Sequence, residues 1–244
     1  MRDINAYESK YLSESFEEIK VKYRRKKVLS IIKRYTPDHI LEIGVGREPL
    51  FQWYDAKFTI VEPSDFFFTN ARNLSKGGYE RITCIKGFFE SDEVQSALAD
   101  TYDFIVCSSL LHEVEEPKKL LSAIKKKCDK NTIVHINVPN AKSMHRLLGM
   151  TMKILKDCHD SSDANIAFQQ NTVFDISMLK RMVDDEGFSV LEEGSYFIKP
   201  FSHAQMHELL NTEIIDNKVL DGLDELSELM PEYGSEIYVN CRLK

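Results

Sequence analysis

The sequence predicts an α/β fold built on a seven-stranded, mostly parallel sheet with an antiparallel C-terminal edge strand. Three observations support this. Five short runs that are apolar on both faces alternate with helical patterns, which is typical of a parallel sheet covered on both sides. Two long strand-like runs occupy the last third of the chain, and two insertions have no place in a minimal βα repeat. At 244 residues, we expect a single domain spanning 1–244.

The first two thirds supply the alternating elements. Residues 1–35 are predicted as an N-terminal helical segment, within which 16–35 carries apolar side chains at helical spacing. Strands are predicted at His39–Ile43, Phe58–Val61, Ile82–Ile85, Tyr102–Cys107 and Thr132–Val138. Helices are predicted at Pro49–Tyr54, Asp65–Leu74, Ser91–Ala99 and Pro117–Cys128.

The last third is predicted to differ. A helix is expected at Asp175–Glu186, with Gly187 as its stop signal. Long strands are expected at Phe188–Phe201 and Glu236–Leu243. The insertions 141–172 and 202–234 each follow a strand whose carboxyl end should lie on the ligand face of the sheet, so we predict that both form helical lids.

Composition narrows the classes of function. The net charge of −7 argues against nucleic acid as a partner, and we interpret the basic run Lys20–Lys27 as a solvated helix face. The sequence shows neither a secretory signal nor an apolar run long enough for a bilayer, so we expect a cytoplasmic protein with no membrane partner. The five scattered cysteines agree with a reducing compartment. The sequence leaves open whether the chain forms a homo-oligomer.

The stretch 40–50, "ILEIGVGREPL", combines a strand end with a glycine turn. Gly44 and Gly46 allow backbone to approach a ligand closely, but a third glycine is missing, and Glu48 disfavours a dinucleotide pyrophosphate. Glu42 ends the buried strand, where a carboxylate needs a cationic or hydrogen-bonding partner. Glu62 ends the next strand, where it can accept ribose hydroxyls. Together these acids predict an adenosine ligand with an amino-acid tail.

Four segments in order, "LEIGVG", "VEPS", "IKGFFES" and "YDFIVCSSLLHEVEEP", resemble the motifs of class I S-adenosylmethionine-dependent methyltransferases of the bacterial small-molecule or sugar-modifying type. The resemblance implies a Rossmann-like fold and S-adenosyl-L-methionine as the cofactor. It also implies that the cofactor is bound by Glu42, Gly44, Gly46, Glu62, Pro63, Gly87, Phe88, Phe89, Ser108 and Ser109.

Methyl transfer to an alcohol needs a general base, most often a histidine. His112 follows the fourth strand and His145 follows the fifth, in "VPNAKSMHRLLG", and either is a candidate. That segment is similar to one in bacterial methyltransferases associated with sugar modification. Arg146 either grips a polar or anionic part of the acceptor or braces the lid helix. The substrate-binding candidates are Asn140, Ser143, Arg146, Gln169, Tyr196 and Lys199, with Phe168 as a further lid residue.

The leading prediction is therefore a methyltransferase that acts on a small-molecule acceptor, with O-methylation of a sugar or nucleotide-linked sugar. Two alternatives remain open: a Rossmann-type nucleotide-binding oxidoreductase, and a catalytically silent domain that binds the cofactor or a partner. No ligand spacing in the sequence predicts a metal site.

Overall fold

The structure is a computed structural model that describes residues 4, 8, 16–78, 81–167 and 169–244. Of the predicted helical segment 1–35, residues 1–3, 5–7 and 9–15 lie outside these described residues, and so does Phe168. The strands are β1 (His39–Ile43), β2 (Lys57–Glu62), β3 (Ile82–Lys86), β4 (Phe104–Ser108), β5 (Ile133–Pro139), β6 (Phe188–Tyr196) and β7 (Glu236–Leu243). The helices are α1 (Glu17–Tyr35), α2 (Asp65–Ser75), α3 (Asp92–Ala97), α4 (Pro117–Lys125), α5 (Met144–Thr151), α6 (Asp163–Ala167), α7 (Ile176–Asp185), α8 (His203–Asn211) and α9 (Asn217–Leu229).

The seven strands form one sheet in the order β3-β2-β1-β4-β5-β7-β6. Strands β1 to β5 are parallel, whereas β7 is antiparallel to both of its neighbours. The predicted α/β class with an antiparallel C-terminal strand is confirmed. The position of that strand is corrected, because β7 lies one place inside the edge. All but the last two residues of β7 are buried, which suits an interior strand, whereas β6 carries exposed side chains and forms the edge.

Alternation along each strand divides the apolar residues between two layers. Leu41 and Ile43 of β1 face a cluster formed with α3, α4 and α7, whereas Ile40 faces a cluster formed with α1, α2, α8 and α9. The sheet is therefore covered on both faces. Its functional edge is at the carboxyl ends of the strands, and the strand order reverses between β1 and β4.

Two predicted elements are shorter than expected. β6 ends at Tyr196 rather than Phe201, because Phe197 has a φ of +53° and its carbonyl accepts a hydrogen bond from Ser235 N. The chain leaves the sheet there to reach α8. The helix expected over 49–54 is a single 3₁₀ turn at Leu50–Gln52.

Within the residues that the structure describes, no helix combines the length and hydropathy needed to cross a membrane.

The buried imidazole of His135 on β5 makes the stability of the fold pH-dependent. Its Nδ1 lies 2.7 Å from Oδ1 of Asn240, and burial lowers the pKa of His135 to about 4. The unfolded chain takes up this proton near pH 6.5, so stability is present above that pH and is lost as the pH falls toward 4. We expect His135 to contribute a loss of about 2 kcal/mol between pH 7 and pH 4.5.

The measurement is urea unfolding at both pH values. His135→Gln should lack this part of the pH dependence, and His207→Gln on α8 should retain it. An unchanged pH dependence in His135→Gln would contradict the assignment.

Candidate active site

A cavity of about 1140 Å³ opens at the carboxyl ends of β1, β2 and β4. Its floor is formed by the turns that follow these strands, and its roof by α1, α5 and the first turn of α8. All ten residues predicted to bind the cofactor line this cavity: Glu42, Gly44, Gly46, Glu62, Pro63, Gly87, Phe88, Phe89, Ser108 and Ser109. The structure thus brings together residues from four separate loops.

Glu42 is buried at the end of β1, where Leu50 N donates to its Oε2 at 3.1 Å and, with a longer bond of 3.4 Å, to its Oε1. Gly44 and Gly46 follow it with φ values of +73° and +55°, which favour glycine. Burial raises the pKa of Glu42 to about 8, and the charge of Glu62 adds to this shift. The site therefore contains a buried carboxyl group, that of Glu42, whose ionised form is poorly stabilised by its surroundings.

Glu62 is equally buried but is well supplied with donors. Val45 N donates to Oε2 at 3.0 Å, and Ser64 N donates to Oε1 at 2.8 Å. These two amides orient the carboxylate at the cavity wall, and each oxygen retains lone-pair capacity for a ligand hydroxyl. Glu42 and Glu62 lie at the tips of neighbouring strands with the glycine turn between them.

The loop after β3 contributes two aromatic side chains with different surroundings. Phe88 is 38% exposed at the cavity, whereas Phe89 is 3% exposed and belongs to the core. Gly87 has a φ of +148°, and a Cβ there would lie 2.6 Å from Val94 Cγ2. Of the two phenylalanines, Phe88 therefore presents the more accessible ring to a planar ligand.

The two candidate bases lie in different places. His112 is buried and is not on the cavity wall; its Nε2 is 3.7 Å from Oε1 of Glu113, which does line the cavity. His145 lines the cavity from the first turn of α5, and its Nδ1 has no hydrogen-bond partner within the described residues. Burial, with the positive charge of Lys199, lowers the pKa of His145 well below its ordinary value. At neutral pH His145 is thus a neutral imidazole that can accept a proton.

Arg146 also lines the cavity, but its N–H groups are directed into the lid. Nε donates to the carbonyl of Cys158 at 3.0 Å, Nη1 to Oδ1 of Asn165 at 3.1 Å, and Nη2 to the carbonyl of Asp160 at 2.5 Å. These contacts join α5 to the loop before α6. Arg146 therefore braces the first lid, the insertion 141–172, from within.

The other predicted substrate residues divide into two groups. Asn140, Gln169 and Lys199 line the cavity, whereas Ser143 and Tyr196 do not. Ser143 is fully buried at the N-terminus of α5, and Tyr196 is buried behind the wall at 1% exposure.

The interpretation of Lys20–Lys27 as a solvated helix face holds for Lys22 and Lys26, whose side chains are exposed, but is wrong for three other basic residues. Lys20, Arg24 and Arg25 of α1 line the cavity, and the Arg24 side chain is only 11% exposed. Their local pattern is that of an ordinary charged helix, because two of their carboxylate partners, Glu236 and Glu48, come from distant parts of the chain. The sequence signal for this arrangement was Glu236, an acid at the start of a mostly apolar strand.

One group among the described residues has the ligand types of a metal site, formed by the consecutive residues Asp157, Cys158 and His159. Burial raises the pKa of the Cys158 thiol, which works against the thiolate form that binds metals. The group lies in the lid loop and is not part of the cavity wall.

A family model described as a methyltransferase domain matches residues 20–193, which include the glycine turn, both strand-tip acids and the first lid. The chain belongs to the methyltransferase-domain family. The oxidoreductase alternative is thereby set aside. No curated protein sequence matches this methyltransferase.

Solved structures share its fold. The plantazolicin methyltransferase BamL, solved with SAH, has 14% sequence identity and a TM-score of 0.61, covering 96% of this chain and 90% of its own. A SAM-dependent methyltransferase from Thermotoga maritima has 16% identity and a TM-score of 0.61, covering 98% and 99%. The O-methyltransferase NcsB1, solved with S-adenosylmethionine, has 13% identity and a TM-score of 0.52, covering 86% and 50%. At these identities the likeness concerns the fold.

The contacts of Arg146 predict that its removal destabilises the lid. Arg146→Ala removes the donor to the buried Cys158 carbonyl and to the part-buried Asp160 carbonyl, and one of the donors to Asn165 Oδ1, so we expect a loss of about 2 kcal/mol in unfolding free energy. Hydrogen exchange of residues 158–165 should rise at the same time. Arg181→Ala, on the exposed side of α7, is the control and should change stability by less than about 0.5 kcal/mol. Unchanged stability with lost acceptor turnover would instead make Arg146 an acceptor ligand.

Proposed function

We propose that this methyltransferase transfers a methyl group from S-adenosylmethionine to an oxygen atom of a small molecule, and that the acceptor is a sugar or a nucleotide-linked sugar. The observation that carries the cofactor assignment is the pair of buried carboxylates, Glu42 and Glu62, on either side of a glycine turn in one cavity. The same cofactor, or its demethylated form, is present in the structures of NcsB1 and BamL.

The residues of the cavity fit the parts of such a cofactor. Glu62 is oriented to accept the two ribose hydroxyls, and Phe88 offers a ring to the adenine. Glu42, whose pKa is raised to about 8, would be paired by the ammonium of the amino-acid end. Ser108 and Ser109 would lie beside the sulfur. When bound, the cofactor supplies an electrophilic methyl group on a sulfonium.

The acceptor would occupy the part of the cavity beneath the roof. At about 1140 Å³ the cavity is slightly larger than the usual range of roughly 300–1,000 Å³ for a single small-molecule site, which suits a cofactor and an acceptor together. Gln169 and Lys199 bring polar groups to the wall, as expected for an acceptor rich in hydroxyls, whereas the amide of Asn140 is held by the carbonyls of Glu232 and Gly234. His145 would remove the hydroxyl proton, because its imidazole lines the cavity and its lowered pKa keeps it neutral at neutral pH. Alignment of the two substrates would supply much of the rate enhancement.

Cofactor binding should depend on pH through Glu42. Because an ammonium beside Glu42 favours the ionised carboxylate, binding below pH 8 must release the proton that the buried carboxyl holds. We expect the affinity for S-adenosylhomocysteine to rise about tenfold between pH 6 and pH 8. Calorimetry in buffers of different ionisation enthalpy would measure both the affinity and the released proton.

Glu42→Gln should bind more weakly and lack this pH dependence. Glu93→Gln, an exposed acid on α3, should behave as the wild type. Absence of binding heat with wild-type protein would overturn the cofactor assignment.

The base assignment predicts that His145→Ala lowers kcat by about 100-fold or more while the protein still binds S-adenosylhomocysteine. The assay is transfer of tritiated methyl from S-adenosylmethionine to a panel of sugar nucleotides. Because the pKa of His145 is lowered, kcat/KM for the acceptor, measured at saturating S-adenosylmethionine, should be flat from pH 8 to pH 6 and fall only in more acidic buffer. His112→Ala is the companion variant, and near-normal turnover in both variants would exclude both histidines as the base.

A further inference from the structure

A continuous chain of hydrogen bonds, buried in its middle and part-buried at its two ends, connects the roof of the cavity to its floor. It begins on the roof, where the Arg24 guanidinium of α1 contacts the carboxylate of Glu236 at the start of β7. Arg24 Nε donates to Oε2 at 3.0 Å and Nη2 donates to Oε1 at 2.5 Å. Glu236 is 1% exposed, and its position 212 residues from Arg24 makes this a tertiary contact.

The middle of the chain runs through the interior of the sheet. The Tyr196 hydroxyl on β6 donates to Oε2 of Glu236 at 2.5 Å, and it accepts from Nδ2 of Asn137 on β5 at 2.9 Å. Tyr196 is 1% exposed and Asn137 is fully buried. Neither side chain reaches the cavity surface, so neither can bind a substrate directly.

The chain ends on the floor of the cavity. Oδ1 of Asn137 accepts from Ser109 N at 2.6 Å, at the turn that follows β4. Ser109 has a φ of +54°, a conformation that costs energy for a residue with a Cβ and persists only where contacts impose it. Both terminal members, Arg24 and Ser109, line the cavity.

The inner links matter because Glu236, Tyr196 and Asn137 are too deeply buried to replace a lost partner with water. Burial opposes ionisation of Glu236, but the Arg24 guanidinium outweighs it and lowers the pKa of that carboxyl to about 2. A fully satisfied buried network holds its members in one arrangement, whereas a broken one leaves a costly unpaired group. The positions of α1 and of the Ser109 turn are therefore linked.

We propose that Tyr196, with Glu236 and Asn137, is a positioning residue that couples the cofactor-side turn at Ser109 to the roof helix α1, and thereby aligns the acceptor with the methyl group. This rests on the proposed function, since it assumes that the cofactor lies against Ser109. A cofactor bound at the floor would then stabilise the docked roof.

The test is hydrogen exchange with and without S-adenosylhomocysteine in wild type, Tyr196→Phe and Tyr102→Phe. Tyr102 is the matched control, because it is also a buried tyrosine whose hydroxyl is hydrogen-bonded. It lies just before the amino end of β4, whereas the cavity is at the carboxyl ends of the strands. In wild type and in Tyr102→Phe, the ligand should slow exchange of both 108–111 and 17–28 about fivefold. In Tyr196→Phe it should still slow exchange of 108–111, while its effect on 17–28 falls below twofold.

Calorimetry on the same proteins completes the design. The affinity of Tyr196→Phe for S-adenosylhomocysteine should stay within threefold of the wild-type value. The substitution removes the hydrogen bonds to Glu236 and Asn137 but changes no residue that lines the cavity. A tyrosine that was only structural would raise exchange with and without ligand but leave the ligand-dependent ratio at 17–28 unchanged, which would overturn the inference. Glu236→Gln is the second variant should Tyr196→Phe not fold, and the same loss of ratio is expected.

The two proposals fail differently. If the wild type binds the ligand but 17–28 shows no ligand-dependent protection, the coupling is wrong and the cofactor assignment stands. If the wild type does not bind the ligand, the proposed function is wrong and the coupling falls with it.

Discussion

The burial of two carboxylates at the tips of β1 and β2 is the constraint on which the rest of the site depends. A buried carboxylate is costly unless donors or cations meet it. For Glu62 the donors are backbone amides of the glycine turn and of Ser64, so the turn must bend tightly enough to direct them inward. The positive φ values of Gly44 and Gly46 allow this bend, and neither glycine places a side chain on the cavity floor.

Three buried acids in this protein differ in the groups that offset the energetic cost of burying a carboxylate. Glu62 is held by amides, and Glu236 is held by Arg24, which keeps its pKa near 2. Among the described residues, Glu42 has only the contacts from Leu50, and its pKa is raised to about 8. Glu42 is therefore the acid beside which the proposed function places the ammonium of the cofactor, while the fully paired Glu236 serves the architecture. Burial alone does not distinguish these roles; the partners do.

Local patterns predicted the parallel core well, because each strand is a short apolar run with its own stop signal. The errors occur where a distant segment decides the outcome. β6 was expected to continue to Phe201, but the hydrogen bond from Ser235 to Phe197 turns the chain out of the sheet. β7 was placed at the edge, but its almost complete burial suits a position between β5 and β6.

The sequence by itself determined the α/β alternation, the strand-tip acids and the residues around the glycine turn, because these depend on side-chain periodicity and on neighbours close in the chain. Only the tertiary structure decided that Arg24 reaches the cavity, that Tyr196 lies behind its wall, and that His145 rather than His112 lines it. The reason is physical: partners such as Arg24 and Glu236 are 212 positions apart, and their pairing exists only after the sheet has brought α1 and β7 together.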